Sequence, residues 1–170
     1  MTSATPAVGD DDVVDDDEYV DYVPSPLLVW SSFVLALLGL AISGYMTFEH
    51  FTGNATLACT ESGLFNCAAV TTSKYAYILH VPVAVLGLVQ FVAMSALCSP
   101  WAWRAPARGI HLARFAFAVV GMVTVLWLLT VELAILGQLC LYCTGVHVVT
   151  FALFVLVIMS VPRMLGWTER

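Results

Sequence analysis

The sequence predicts an all-α integral membrane protein, a four-helix transmembrane bundle with an exoplasmic cysteine-bearing loop. Three observations carry that expectation. Hydrophobic residues make up 61% of the chain and charged residues 11%, where a soluble domain carries about 45–50% and about 25%. The apolar residues collect into four long, sparsely charged runs, the pattern of spans rather than of a water-soluble core. Five of the six basic residues fall on one side of the arrangement those four runs imply.

A chain of 170 residues leaves room for one bundle domain. Eight of the twelve acidic residues lie between Asp10 and Asp21, so residues 1–26 read as an acidic, disordered cytoplasmic tail with too little apolar surface to repay ordering. That segment has no lysine or arginine, and no cleavable signal peptide is expected. With so few basic residues there is no patch for nucleic acid. The bundle is expected over 27–162, followed by a second cytoplasmic tail at 163–170.

The first span is predicted from Leu27 to Glu49, with Ser43–Gly44 suited to close helix contact. The second runs from Val81 to Cys98, with Pro82 in its first turn, where proline is tolerated. The third covers Arg114 to Gly137. The fourth covers Cys140 to Val161 and ends at Pro162 and Arg163. Each is near the roughly 17–25 residues a bilayer requires. The link Gly-Gln-Leu-Cys is so short that spans three and four must be antiparallel neighbours. Residues 50–80 form a polar loop, long for a bundle connection, and loops of that kind are usually functional or disordered. There is no internal repeat.

Four spans place both termini and the 99–113 loop on one side, with Arg104, Arg108, Arg114, Arg163 and Arg170. Lys74 alone lies on the other. The positive-inside rule counts Lys and Arg, so the termini are expected in the cytoplasm of a multi-pass plasma membrane protein, the acidic tail notwithstanding. The aromatic belts of such a protein account for Trp30, Trp101, Trp103 and Trp167 near the span ends.

That orientation puts Cys59 and Cys67 in an exoplasmic loop, and Cys140 and Cys143 at the exoplasmic start of span four. Both pairs then face the oxidising side, where disulfides persist. Cys98 is expected as a small buried apolar residue. The Cys-Leu-Tyr-Cys unit has a spacing that sets both sulfurs on one helical face. A helix N-terminus stabilises a thiolate, the attacking species in disulfide exchange. Two pairs on one side suggest a relay, one pair meeting a soluble partner and the other a membrane electron acceptor. Two inert structural disulfides in a non-catalytic membrane subunit are the rival reading, and a zinc site is a lesser one. Haem attachment needs a histidine where Thr144 stands. No metal is expected.

The order of these residues resembles the vitamin K epoxide reductase family, in its bacterial four-helix form without a fused thioredoxin domain. The matching features are a loop pair Cys59-x7-Cys67, Ser73 six residues later, a span opening with Val-Pro-Val-Ala-Val-Leu-Gly from Val81, and Cys140-x-x-Cys143 at the start of the last span. A related quinone-linked family carries the two pairs in the reverse order.

The resemblance implies a membrane thiol–quinone oxidoreductase that supports disulfide formation. By similarity Cys140 and Cys143 are the active-site pair. Cys143 would react with the quinone, Cys140 would exchange with Cys67, and Cys59 would oxidise the external partner. The acceptor would be menaquinone or ubiquinone. The partner would be a separate exoplasmic thioredoxin-fold thiol oxidase, since the chain stops at Arg170. Reduction of a vitamin K epoxide by the same relay is the enzymatic alternative.

Ser73 matches the family's loop serine or threonine near the quinone. Many members have an asparagine that bonds a quinone oxygen where this chain has Val83. His147, one turn beyond Cys143, either compensates as a donor to a quinone carbonyl or bonds a neighbouring helix backbone. Glu132 either donates a proton to the quinone or, the favoured expectation, snorkels to the interface. Lys74 and His80 flank the mouth of the bundle.

Overall fold

The computed structural model describes residues 24–53, 59 and 65–164. Nearly all of the two expected tails, together with Trp167 and most of the segment between Cys59 and Cys67, lies outside the described residues.

Helix α1 spans Pro26–Phe51, longer than expected at both ends. Ser25 caps it, its Oγ accepting the Leu28 N–H, and Pro26 occupies the first turn, where no amide partner is lost. Its buried residues, Val29, Ser32, Ala36, Gly39, Ser43, Met46 and Glu49, recur every three or four positions and so form one stripe. Apart from Val29 and Met46 the stripe is made of small and polar residues, while Trp30, Val34, Leu38 and Phe48 point outward. Lipid tails are as apolar as leucine, so close packing rather than water exclusion must hold such helices together. Gly39 shows how: the Phe91 ring occupies the space a Cβ there would need.

The 50–80 loop carries structure of its own. Asn66 caps a short helix α2, Cys67–Thr71, its Oδ1 accepting the Ala69 N–H at 2.9 Å. A 3-10 turn at Lys74–Ala76 leads into a hairpin, β1 (Tyr77–Ile78) against β2 (Val81–Pro82), in the register Tyr77↔Pro82 and Ile78↔Val81. Leu79 and His80 turn the hairpin with φ of 51° and 69°, the left-handed pair that a two-residue turn requires.

This hairpin corrects the expected start of the second span. Pro82 precedes the helix instead of lying in its first turn, and helix α3 covers Val83–Leu97. Its 15 residues reach only about 22 Å, against a hydrocarbon core of about 30 Å.

A short helix α4, Pro100–Arg104, occupies the expected loop, and α5 begins six residues early, spanning Arg108–Thr130. It continues as a π turn, Val131–Leu136, which ends at Gly137 with φ of 60°. Helix α6 covers Leu141–Met164. Among the described residues three helices are long and apolar enough to cross a membrane, with the shorter α3 beside them. Helix α1 packs on α3 and α6, and α5 packs on α6 and α3, which closes a four-helix ring.

The arginine-rich end departs from expectation in detail. Trp103, expected in an aromatic belt, and Arg114, expected as a basic residue of the cytoplasmic side, are both buried. The Arg114 guanidinium lies 3.6 Å from the Trp103 ring centroid and donates to the Leu97 carbonyl from Nε and Nη2, at 2.9 and 2.7 Å. Arg114 Nη1 meets His111 Nδ1 at 3.0 Å, and Trp103 donates its indole N–H to Ser32 at 3.1 Å. Cys98 is buried as expected, but against Ser32 and Arg114 rather than in purely apolar surroundings. Stacking and multiple bonds let these polar groups leave the interface and join α1, α3, α4 and α5.

Candidate active site

Cys59 and Cys67 form a disulfide with Cα atoms 6.1 Å apart, while Cys140 and Cys143 are both free thiols. Cys67 has no exposed surface, whereas Cys59 is half-buried. One buried cluster holds Cys67, Cys140, Met46 and Val70, with Cys59, Tyr142 and Cys143 packed against it.

Backbone bonds fix this meeting. Phe65 pairs with Leu139 in an isolated parallel bridge, and the Asn66 N–H donates to the Leu139 carbonyl at 3.0 Å. The loop segment leading into Cys67 is thereby held beside the segment leading into Cys140.

The two CxxC sulfurs do not share a helical face, as their spacing suggested. Cys140 precedes α6 and acts as its cap: Cys140 Sγ accepts the Cys143 N–H at 3.3 Å, and its carbonyl accepts the Thr144 N–H at 2.9 Å. Amides at a helix start stabilise negative charge on a sulfur so placed. Cys143, within the first turn, lines a cavity of about 460 Å³ instead.

That cavity lies between the helices at the cysteine end and falls within the roughly 300–1,000 Å³ of small-molecule sites. Ser73, Val83, Glu132 and His147, singled out in the sequence, all line it together with Cys143. His147 and Glu132 are both buried, and His147 Nδ1 and Glu132 Oε2 have no hydrogen-bond partner among the described residues. Glu132 therefore does not snorkel. It is held inside by the π turn, and its carboxyl reaches the Cys140 backbone amide and the Cys143 thiol. His80 is exposed at the hairpin tip and Lys74 is exposed with its amine 5.0 Å from the Tyr75 ring centre; neither lines the cavity.

A family model described as the vitamin K epoxide reductase family matches residues 30–158. The chain belongs to the vitamin K epoxide reductase family. Membership makes it a membrane oxidoreductase, and the matched residues include both cysteine pairs and every cavity residue named above.

Two residues of this site were not singled out from the sequence of this vitamin K epoxide reductase family member. Gln90 lines the cavity from α3 and donates to the Phe117 carbonyl at 2.7 Å. Its signal was present, a lone amide in an otherwise apolar span, where polar groups tend to be functional. Asn66 passed as an ordinary loop residue, because nothing in its neighbours announces a contact with Leu139.

Proposed function

We propose that this protein is a membrane thiol:quinone oxidoreductase that generates disulfides. Electrons pass from a reduced exoplasmic thioredoxin-fold partner through Cys59 and Cys67 to Cys140 and Cys143, and on to menaquinone or ubiquinone. One observation carries the reading. Cys140 is buried in the cluster with the loop disulfide, and Cys143, packed against that cluster, is the CxxC residue that lines the cavity. A pair so divided can exchange with the loop on one side and with a small acceptor on the other.

The site fits a quinone head group. Its walls are largely apolar, and two buried groups without a hydrogen-bond partner among the described residues, His147 Nδ1 as an N–H and Glu132 Oε2 once protonated, can donate to ring oxygens. Ser73 and Val83 line the same space, His147 standing in for the donor that Val83 cannot provide. A bound quinone supplies a two-electron, two-proton acceptor.

The protein's own steps are thiol–disulfide exchanges. A thiolate of the partner attacks Cys59, the more accessible loop sulfur, and Cys67 leaves as a thiolate. The second partner thiol then displaces Cys59, leaving an oxidised partner and a loop dithiol. Cys67 next attacks Cys140 of a Cys140–Cys143 disulfide and releases Cys143 towards the cavity. Cys59 resolves that bond, so the loop disulfide reforms and the Cys140–Cys143 dithiol is ready to reduce the acceptor. Relative reduction potentials set the direction. The five-to-one bias of basic residues supports a plasma membrane topology with cytoplasmic termini and exoplasmic cysteines.

Trapping tests the pairing. Removing Cys59 and Cys143 together, as Ala, should leave a Cys67–Cys140 disulfide detectable by peptide mass spectrometry. Removing Cys67 and Cys140 should leave no Cys59–Cys143 bond. The opposite pattern would reverse the relay.

A further inference from the structure

Glu132 has no part in the exchanges above, yet it is only 3% exposed within a membrane-spanning segment. Carboxyl groups are rare at such depth because their charge is poorly solvated. The fold places this one deliberately. The helix widens into a π turn at Val131–Leu136, and the Glu132 carbonyl accepts the N–H groups of both Gly137 and Gln138. An inserted residue of this kind re-aims neighbouring side chains and is frequent at functional sites. Here the Glu132 carboxyl reaches the Cys140 amide and the Cys143 thiol, while Oε2, in the cavity wall, has no partner among the described residues.

The two sulfurs are also unequally served. The Cys143 N–H points at Cys140 Sγ, so the helix start favours a thiolate on Cys140. Cys143, the sulfur on the cavity, needs a base of its own, and Glu132 is the carboxylate beside it. The other titratable groups lining the cavity are His147 on α6, His50 on α1 and Tyr75 in the loop.

We infer that Glu132 is the proton carrier of this site, taking the proton of the Cys143 thiol and delivering it to an oxygen of the bound quinone. The assignment rests on the thiol:quinone reading. Across the step the Cys140–Cys143 dithiol loses two electrons and two protons and closes its sulfur–sulfur bond. The quinone gains both and leaves as quinol. Cys143 contributes the first proton that Glu132 carries. The Cys140 thiol contributes the second as it ionises to the thiolate that closes the sulfur–sulfur bond, and the same carboxylate takes that proton once the first has been delivered.

The test begins with thiol chemistry, which needs no quinone. Reduced full-length protein in detergent is alkylated with iodoacetamide across a pH series, and the rate at Cys143 is followed by mass spectrometry. The wild type should show two steps, the lower one following ionisation of Glu132. Glu132→Gln should lose that lower step and keep only the thiol's own. Quinol formation should then fall about 100-fold, at the lower end of what general acid–base catalysis contributes, with Glu132→Asp recovering part of it. The Cys67–Cys140 trap should form as before. An unchanged two-step profile in Glu132→Gln, or quinol formation at the wild-type rate, would overturn the assignment. Should Glu132→Gln not fold, the wild-type profile decides, and a single step there overturns it. Quinol formation that survives Cys143→Ala would instead overturn the thiol:quinone reading itself.

Discussion

The backbone N–H of Asn66 donates to the Leu139 carbonyl at 3.0 Å, which fastens the residue before Cys67 to the residue before Cys140. A loop that must exchange disulfides with a helix start would otherwise pay the full entropy of finding it on every cycle. Here one backbone bond, one bridge and one side-chain cap define the approach.

Asn66→Ala removes the cap of α2 and leaves the backbone bond to Leu139. The loss should cost about 1 kcal/mol of local stability. Formation of the trapped Cys67–Cys140 disulfide should slow, while alkylation of Cys143 should not. Quench-flow trapping followed by peptide mapping reads both rates.

Cys59→Ala should separate two donors. A small dithiol can reach the inner pair without the loop, so quinol formation with it should persist. A protein dithiol must begin at Cys59, the accessible loop sulfur, and should fail. Equal loss with both donors would contradict the relay.

His147→Leu removes a buried ring whose Nδ1 has no protein partner among the described residues. A hydrogen bond of about 1 kcal/mol to the acceptor corresponds to a several-fold rise in KM for a short-chain quinone. The trapped Cys67–Cys140 disulfide should form at the wild-type rate. Steady-state kinetics over a quinone series checks the first, and trapping the second.

Gly39→Ala should destabilise the bundle by about 1–3 kcal/mol, the usual cost of overpacking, because the Phe91 ring fills the space its Cβ needs. Gly44→Ala on the same helix is the control. Its Cβ would meet Leu88 at 3.9 Å, an ordinary contact, and little change is expected. Thermal unfolding in one detergent compares the two.

The four apolar stretches and both cysteine pairs could be read from the sequence because they rest on local properties: hydropathy over a window and spacing along the chain. Ser73, Val83, Glu132 and His147 could also be singled out, the first two by resemblance and the others as ionisable groups in apolar spans. Their gathering around one cavity depends on helix packing, which spacing does not encode. Pro82 misled for a related reason. Proline suits a helix start, but the Leu79–His80 turn pairs Val81–Pro82 back onto Tyr77–Ile78 and delays α3. Trp103 looked like a belt residue and Arg114 like a basic residue of the cytoplasmic side, and their mutual stacking, with the Arg114 bonds to Leu97 and His111, is what lets both be buried. Cys140 capping α6 was hidden by the same kind of ambiguity, since a Cys-x-x-Cys spacing fits a helical face and a helix cap equally well.

The most direct test of the central claim is quinol formation by the purified protein given a dithiol and a short-chain quinone, beside Cys143→Ala. The account predicts steady quinol production that the variant abolishes, with its loop disulfide still formed. Quinol production unaffected by the loss of Cys143, or none in the wild type with both cysteine pairs resistant to mild reductant, would contradict it.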